Sequence, residues 1–437
     1  MDPLQEAFDH YSAGRIDAAV KAYRAIVARE PNNLEANHLL GALLFHGGET
    51  EAARGILMHA AELPNAPAEV HNNLGAVLSA LNENEAAAAA FGRALALNPD
   101  YADAHNNLGV VHRDEKRIEA AIASFKRAVQ IDPSLSHAKA NLRAAYRDVV
   151  PPWHFAMLDD NDRNVAYRAA IEHTVLGRRV LDIGTGAGLL AMIAARAGAK
   201  SVTTCEIVPL IAERARNIVA NNSLAPRVTV IGKASTELEV PRDMAERAEV
   251  LITETFSSTL LGEGVLPTVE HAHEHLLAPG AVVIPAAASA IGYLAGGEAL
   301  KGMFFVGRVE GFDLSAFNDF APPSMGMLFD RFAHDVLSQD TELMRFDFRE
   351  KRFPMRGQRV ELRATSAGEV LGLVQWIRLD LDATTRYENR PSSGAAFNGH
   401  WTHFFFRFPK LIEVKEGDVV ALNVRHDRKQ IIVDIVE

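Results

Sequence analysis

Two periodicities divide this chain. Over residues 1–150 apolar positions recur with helical spacing, and the pattern itself repeats. Gly41, Gly75 and Gly109 lie 34 residues apart; Ala53, Ala87 and Ala121 keep that period, as do Ala60, Ala94 and Ala128. Pro99 and Pro133 close the last two units, Pro31 and Pro64 stand near the matching places earlier, and a first unit carries Ala7, Ala19 and Tyr23. Small residues at a helix crossing let antiparallel helices approach closely, with Phe91 and Phe125 filling between them. The pattern predicts four helical pairs and a solvating helix near 136–148. Val149–Trp153 (VVPPW) then breaks the helical pattern, because two prolines force an extended link.

Beyond this link short apolar runs alternate with helical stretches. Strands are predicted at the start of Val180–Leu190, at Ser201–Glu206, Arg227–Ile231 and Glu249–Thr253, and a helix and a strand within 262–285. That alternation is the mark of a doubly wound α/β domain over 151–285. From 286 to 437 the pattern is strand-like, with runs at Val360–Ala364, Gly372–Asp380, Phe404–Phe408 and Val419–Val424.

Composition narrows the setting. The 437 residues allow two or three domains, and 48% apolar content supports real cores. No apolar run reaches membrane-spanning length, so no membrane partner is expected, and MDPLQEAFDH does not read as a signal peptide. Cys205 is the only cysteine, which excludes an intrachain disulfide or a cysteine zinc site and fits a reducing, cytoplasmic location. A net charge of −11 opposes nucleic acid and suits basic partners, although it also serves plain solubility.

The chemistry is organised around VLDIGTGAGLL, 180–190. Asp182 ends an apolar strand, and Gly184, Gly186 and Gly188 alternate with small residues before a helix. A dinucleotide fingerprint would place its third glycine at Leu189, and a P-loop would need a Gly-Lys-Ser/Thr run that is missing. The D-x-G-x-G-x-G form resembles motif I of class I S-adenosylmethionine-dependent methyltransferases. Glu206 closes the second strand, 24 residues after Asp182, where a carboxylate can accept from both ribose hydroxyls. GKAS, 232–235, resembles the adenine-side loop, which makes Ala234 and Ser235 cofactor neighbours; Ser235 stands where the family often has glutamate.

A second resemblance is more specific. WHFAMLDDNDRNVAYRAAI, 153–171, is similar to the leading helix of protein arginine N-methyltransferases, with His154, Met157, Leu158, Asp160, Arg163 and Tyr167 at that family's steps. The resemblance implies that Arg163 pairs with the carboxylate of S-adenosylmethionine and that Met157 packs near its sulfonium; a guanidinium fork suits a carboxylate. ETFSSTLLGEG, 254–264, resembles the family's double-glutamate loop, with Glu254 and Glu263 nine apart. Two carboxylates can clamp one guanidinium and turn one nitrogen toward the methyl group. His400, before Trp401, resembles the histidine of the family's Thr-His-Trp loop and would line the arginine site, sharing the departing proton with Asp160. Residue 257 is Ser where related subfamilies commonly have Asp, so the product type does not carry over.

The repeats resemble the tetratricopeptide repeat. HNNLG occurs at 71–75 and 105–109, and Asn73 and Asn107 would stand one above the other on the concave face. There they resemble the asparagines with which O-linked N-acetylglucosamine transferases hold peptide backbone; they could equally serve neighbouring turns. Together the resemblances imply an all-α tetratricopeptide superhelix, an α/β Rossmann-like methyltransferase core and a C-terminal β-barrel-like domain. They also imply an arginine-containing protein or peptide substrate and protein partners on the repeats. The chain carries one catalytic module where the nearest subfamilies have two in tandem, so a homodimer is expected, with 315–340 as its arm or as ordinary core. His271, His273 and His275 read as structural, and no metal site is expected. Two other readings stay open at this point: a scaffold with a degenerate methyltransferase half, and methylation of another substrate.

Overall fold

The computed structural model describes residues 2–151, 153–391 and 401–436. The chain divides into two compact units, Met1–Pro151 and Pro152–Glu437.

Among its described residues the first unit has nine helices: α1 (Pro3–Ser12), α2 (Ile16–Arg29), α3 (Leu34–His46), α4 (Thr50–Glu62), α5 (Ala68–Ala80), α6 (Asn84–Leu97), α7 (Ala102–Asp114), α8 (Ile118–Ile131) and α9 (Ser136–Val149). The 34-residue glycines sit where paired helices cross. A Cβ on Gly41 would lie 2.5 Å from Leu57, and one on Gly75 or Gly109 would lie 2.6 Å from the ring of Phe91 or Phe125. The crossing is closer than any larger residue permits.

The HNNLG asparagines lace successive repeats together. Nδ2 of Asn107 donates to Oδ1 of Asn72 (3.1 Å), and Nδ2 of Asn141 donates to Oδ1 of Asn106 (2.9 Å). Asn73 and His38 are joined in the same way at 2.9 Å. The amide groups thus hydrogen-bond from one repeat to the next, and Asn106 also donates to Asn107 beside it (3.2 Å).

The second unit begins with α10 (Trp153–Asp159) and α11 (Asn161–Thr174). A parallel five-stranded sheet follows: β1 (Arg179–Ile183), β2 (Ser201–Cys205), β3 (Val228–Ile231), β4 (Ala248–Thr253) and β5 (Leu277–Ile284), in the order β3-β2-β1-β4-β5. Helices α12 (Leu189–Arg196), α13 (Pro209–Asn221) and α14 (Val265–His271) connect the strands. Val180, Leu181, Val250, Leu251 and Ile252 are buried, as expected for a parallel sheet covered on both faces. The strand order reverses between β1 and β4, and the carboxyl ends of those strands form the switch point at which α/β sheets bind ligands.

The remainder is antiparallel. β6 (Ala287–Gly296), buried along its whole length, pairs with Gly368–Asp380 on one side and with Thr341–Asp347 on the other. His403–Val414 extends this sheet, and Gly357–Arg363, Val419–His426 and Ile431–Ile435 form a second one. The 315–340 stretch splits in character. Met327, Phe329 and Leu337 are core, whereas Phe317 and Phe320 are exposed.

Candidate functional site

The site forms where the switch point meets the loops after β1, β2 and β4. β1 ends at Asp182–Ile183 and runs into a turn in which Gly184, Gly186 and Gly188 all have positive φ (88°, 50° and 84°). This backbone conformation is open to glycine and strained for other residues. The turn is pinned from β2: Oε2 of Glu206 accepts from the Gly186 amide at 3.1 Å, and Oε1 accepts from the Val208 amide at 3.0 Å. Gly188 then starts α12.

A cavity of about 390 Å³ opens beside this turn. It brings together Met157, Gly184, Gly186, Glu206, Ala234, Ser235, Glu254 and Glu263. Its volume lies in the range of small-molecule sites. Met157 comes from α10 and is buried; Ala234 and Ser235 follow β3; Glu254 follows β4; Glu263 is exposed at the far end of the same loop. Trp153, stacked on His154 at 3.8 Å between ring centroids, and Ile207 complete the mouth.

Asp160, Arg163 and Asp182 are buried and do not line the cavity. Asp160 caps α11, its Oδ1 accepting the Arg163 amide at 3.0 Å. The Arg163 guanidinium then reaches Glu254: Nη2 lies 2.8 Å from Oε2, with both side chains at most 7% exposed. Nη1 donates to Asn164 at 2.7 Å, and the guanidinium lies over the Tyr167 ring at 5.1 Å. Tyr167 in turn donates to the carbonyl of Thr253 at the end of β4 (3.1 Å). The residue expected to meet the cofactor thus pairs with Glu254, the first of the two loop glutamates.

Asp182 lies under the turn. Its Oδ2 accepts from Thr204 at 2.7 Å. Burial raises its pKa to about 7; Thr204 and Arg163 act against that, and the charges of Glu254 and Glu206 add to it.

Two buried polar atoms here lack a hydrogen-bond partner among the described residues: Nε of Arg163, a donor, and Oδ1 of Asp182, an acceptor. A donor from a cation and an acceptor from a carboxyl are the complements of an α-carboxylate and an α-ammonium. The amino-acid end of S-adenosylmethionine carries that pair, and Glu206 beside the turn suits its ribose hydroxyls. The residues present therefore fit the expected cofactor.

Known proteins resemble both units of the chain. Tetratricopeptide-repeat family profiles match residues 10–76 and 72–136, and that of the ribosomal protein L11 methyltransferase (PrmA) matches 169–277. An arginine N(omega)-methyltransferase of Streptomyces achromogenes subsp. streptozoticus is 39% identical over 277 residues, covering 63% of this chain and 76% of that protein. The chain belongs to the arginine N-methyltransferase family. Protein arginine N-methyltransferase 7 of Drosophila willistoni is 31% identical over 318 residues, covering 62% of this chain and 46% of its own length. Protein arginine N-methyltransferase 9 of Mus musculus is 44% identical over 131 residues, 30% of this chain and 16% of that protein. The chain thus spans less than half the length of these two relatives. The fold is similar to that of the Trypanosoma brucei PRMT1 enzyme–prozyme heterotetrameric complex with AdoHcy (TM-score 0.55, 23% identity, 62% of this chain and 86% of that one). Arabidopsis thaliana protein arginine methyltransferase 10 is also similar, with a TM-score of 0.51, 22% identity and the same coverage.

For a member of this family, the antiparallel sheet adds residues that spacing did not reveal. Trp401 donates from Nε1 to the carbonyl of Phe256 (2.7 Å), inside the double-glutamate loop, and the Thr402 amide donates to Ser258 Oγ (3.0 Å). Tyr387 donates to Asp160 at 2.8 Å. Asn389 takes the Ile377 amide on Oδ1 and donates to the carbonyl of Trp401, both at 3.0 Å. Only Trp401 carried a sequence signal. His400 lies outside the described residues. His271 and His275 stack at 4.6 Å and His273 bonds to the carbonyl of Phe348; no metal-holding cluster occurs among the described residues.

Proposed function

We propose that the protein transfers a methyl group from S-adenosylmethionine to a guanidino nitrogen of arginine in a protein or peptide, with the repeats recruiting that substrate or a partner. The observation that carries the reading is the placing of Glu254 and Glu263 on the cavity that also holds the glycine turn, Glu206 and Met157. A neutral substrate does not call for two facing carboxylates; a guanidinium does.

S-adenosylmethionine supplies an electrophilic methyl group on a sulfonium when bound. Arg163 would hold its carboxylate, Asp182 its ammonium, Glu206 its ribose, and Ala234 and Ser235 its adenine edge; Met157 would pack near the sulfonium. Glu254 and Glu263 clamp the substrate guanidinium, aim one nitrogen and favour positive charge on the other two. Orientation of this kind lowers a barrier by about 7–11 kcal/mol in favourable cases. An arginine side chain is too basic to be deprotonated beforehand; His400 takes the proton with or after attack and would pass it on to the buried Asp160, which does not itself line the cavity. In this assignment 151–285 binds cofactor, and 286–437, completed as a barrel-like domain, binds substrate.

The relatives' names divide between arginine and protein arginine, and the repeat unit and the net charge of −11 favour a basic protein substrate. A homodimer is part of the proposal. Phe317 and Phe320 in the 315–340 stretch expose apolar surface, Phe320 to 80%, as do Val309, Phe312 and Leu314 just before it. Such a patch marks an interface.

Glu254→Gln tests the clamp. Turnover on an arginine peptide should fall about 100- to 1,000-fold, the scale of removing one preorganised polar partner. S-adenosylhomocysteine affinity by calorimetry should stay within about threefold. Equal loss of both would make Glu254 a structural residue.

A further inference from the structure

Tyr387 lies on a short edge strand, Arg386–Glu388, paired to Gly368–Asp380 through the register Leu379–Tyr387. Its ring is buried, and its hydroxyl donates to Oδ2 of Asp160 at 2.8 Å. That carboxylate uses its other oxygen on the Arg163 amide, the first-turn donor of α11. A capping carboxylate both satisfies an orphan amide and fixes where the helix begins. A phenol on its second oxygen locks its rotation. The same ring packs against Trp401, with centroids 5.6 Å apart, and Trp401 holds the carbonyl of Phe256. Burial, the nearby carboxylates of Asp160 and Glu254, and its bond to Asp160 push the phenol far above its ordinary pKa, so it remains a donor.

We infer that Tyr387 is a positioning residue for the cofactor: from the antiparallel sheet it fixes the Asp160 cap, and through it the start of α11 that aims Arg163. The inference rests on the assignment of Arg163 to the cofactor's carboxylate. It gives the antiparallel sheet a part in cofactor binding, although among the described residues none of that sheet lines the cavity.

The test is calorimetric titration of the full chain with S-adenosylhomocysteine, which needs no turnover. Y387F removes the hydroxyl and keeps the ring. The loss of one hydrogen bond to a charged group should weaken affinity about tenfold. Y293F is the control. Tyr293 is also buried on the antiparallel sheet, but its hydroxyl bonds to His334 at 2.7 Å, away from the cavity; its affinity should stay within about twofold. With cofactor saturating, the KM of an arginine peptide should be unchanged in Y387F, a split that general loosening would not give. Y387F within twofold of wild type overturns the inference, as does an equal loss in Y293F. If Y387F does not fold, D160N repeats the test from the other end: an amide still caps through Oδ1 but presents a donor to the phenol. The same tenfold loss supports the inference and unchanged affinity overturns it. R163A separates the two failures. Weakened R163A with normal Y387F means that Tyr387 does not position Arg163; normal binding in both means that Arg163 does not hold the carboxylate.

Discussion

The repeat unit and the catalytic unit are built from contacts of different reach. In the repeats the polar ties run between residues 35 apart: Asn107 to Asn72, Asn141 to Asn106, Asn73 to His38. In the catalytic unit the ties that shape the site run much farther along the chain. Trp401 reaches Phe256 across 145 residues, and Tyr387 reaches Asp160 across 227. A repeat distributes its specification: the same glycine, the same ring and the same amide recur, and no single one is decisive. A site assembled from distant segments concentrates it, so a few buried residues carry the geometry.

Four changes would break or sharpen that contrast. The largest effect is expected from Trp401→Ala. It removes a buried indole and its bond to the double-glutamate loop, so it should cost the catalytic unit about 3–5 kcal/mol in denaturant unfolding. A smaller loss would mean that the loop is held by itself.

Next comes pH. Asp182 has a folded pKa of about 7 against an ordinary value near 3.8. The native state therefore binds the extra proton between those values. This group's contribution to stability is complete below about pH 4 and is lost as pH rises to 7, by at most about 1.4 kcal/mol per pH unit in that window. Thermal melts of D182N should flatten that dependence, whereas a slope identical to wild type would contradict the assignment. A bound ammonium favours the charged carboxylate, so cofactor affinity should rise between pH 6 and pH 8 in wild type and not in D182N.

Gly109→Ala pushes a methyl group into the Phe125 ring and should cost the repeat unit about 1–3 kcal/mol, with cofactor affinity unchanged. The smallest effect is Asn107→Ala, about 1 kcal/mol per lost hydrogen bond in the repeat unit. If peptide capture by the repeats also fails, the asparagines serve a ligand as well as the stack.

The contrast also explains what could be read from the residues. Gly41, Gly75 and Gly109 announced the helix crossings because the physical demand recurs at a fixed period. Gly184, Gly186, Gly188 and Glu206 were legible because a strand, a positive-φ turn and a carboxylate must follow within one βαβ unit. The two glutamates were legible as a spacing, and the structure does bring them to one cavity. The Arg163–Glu254 pair was not, since each residue was assigned to a ligand and not to the other. Tyr387 and Asn389 carried no signal at all: their meaning arises only when Tyr387 meets the Asp160 helix cap 227 residues earlier and Asn389 bridges Ile377 and Trp401. The asparagine lacing was half legible, in that the recurrence was visible and the partner was not.

The central claim is methylation of arginine within a protein or peptide, and its most direct test is labelled methyl transfer from S-adenosylmethionine to an arginine-rich peptide, its lysine twin and free arginine, followed by amino-acid analysis. The account predicts labelled methylarginine from the arginine peptide and none from the lysine twin. Label on the lysine twin, or on free arginine alone, would contradict it.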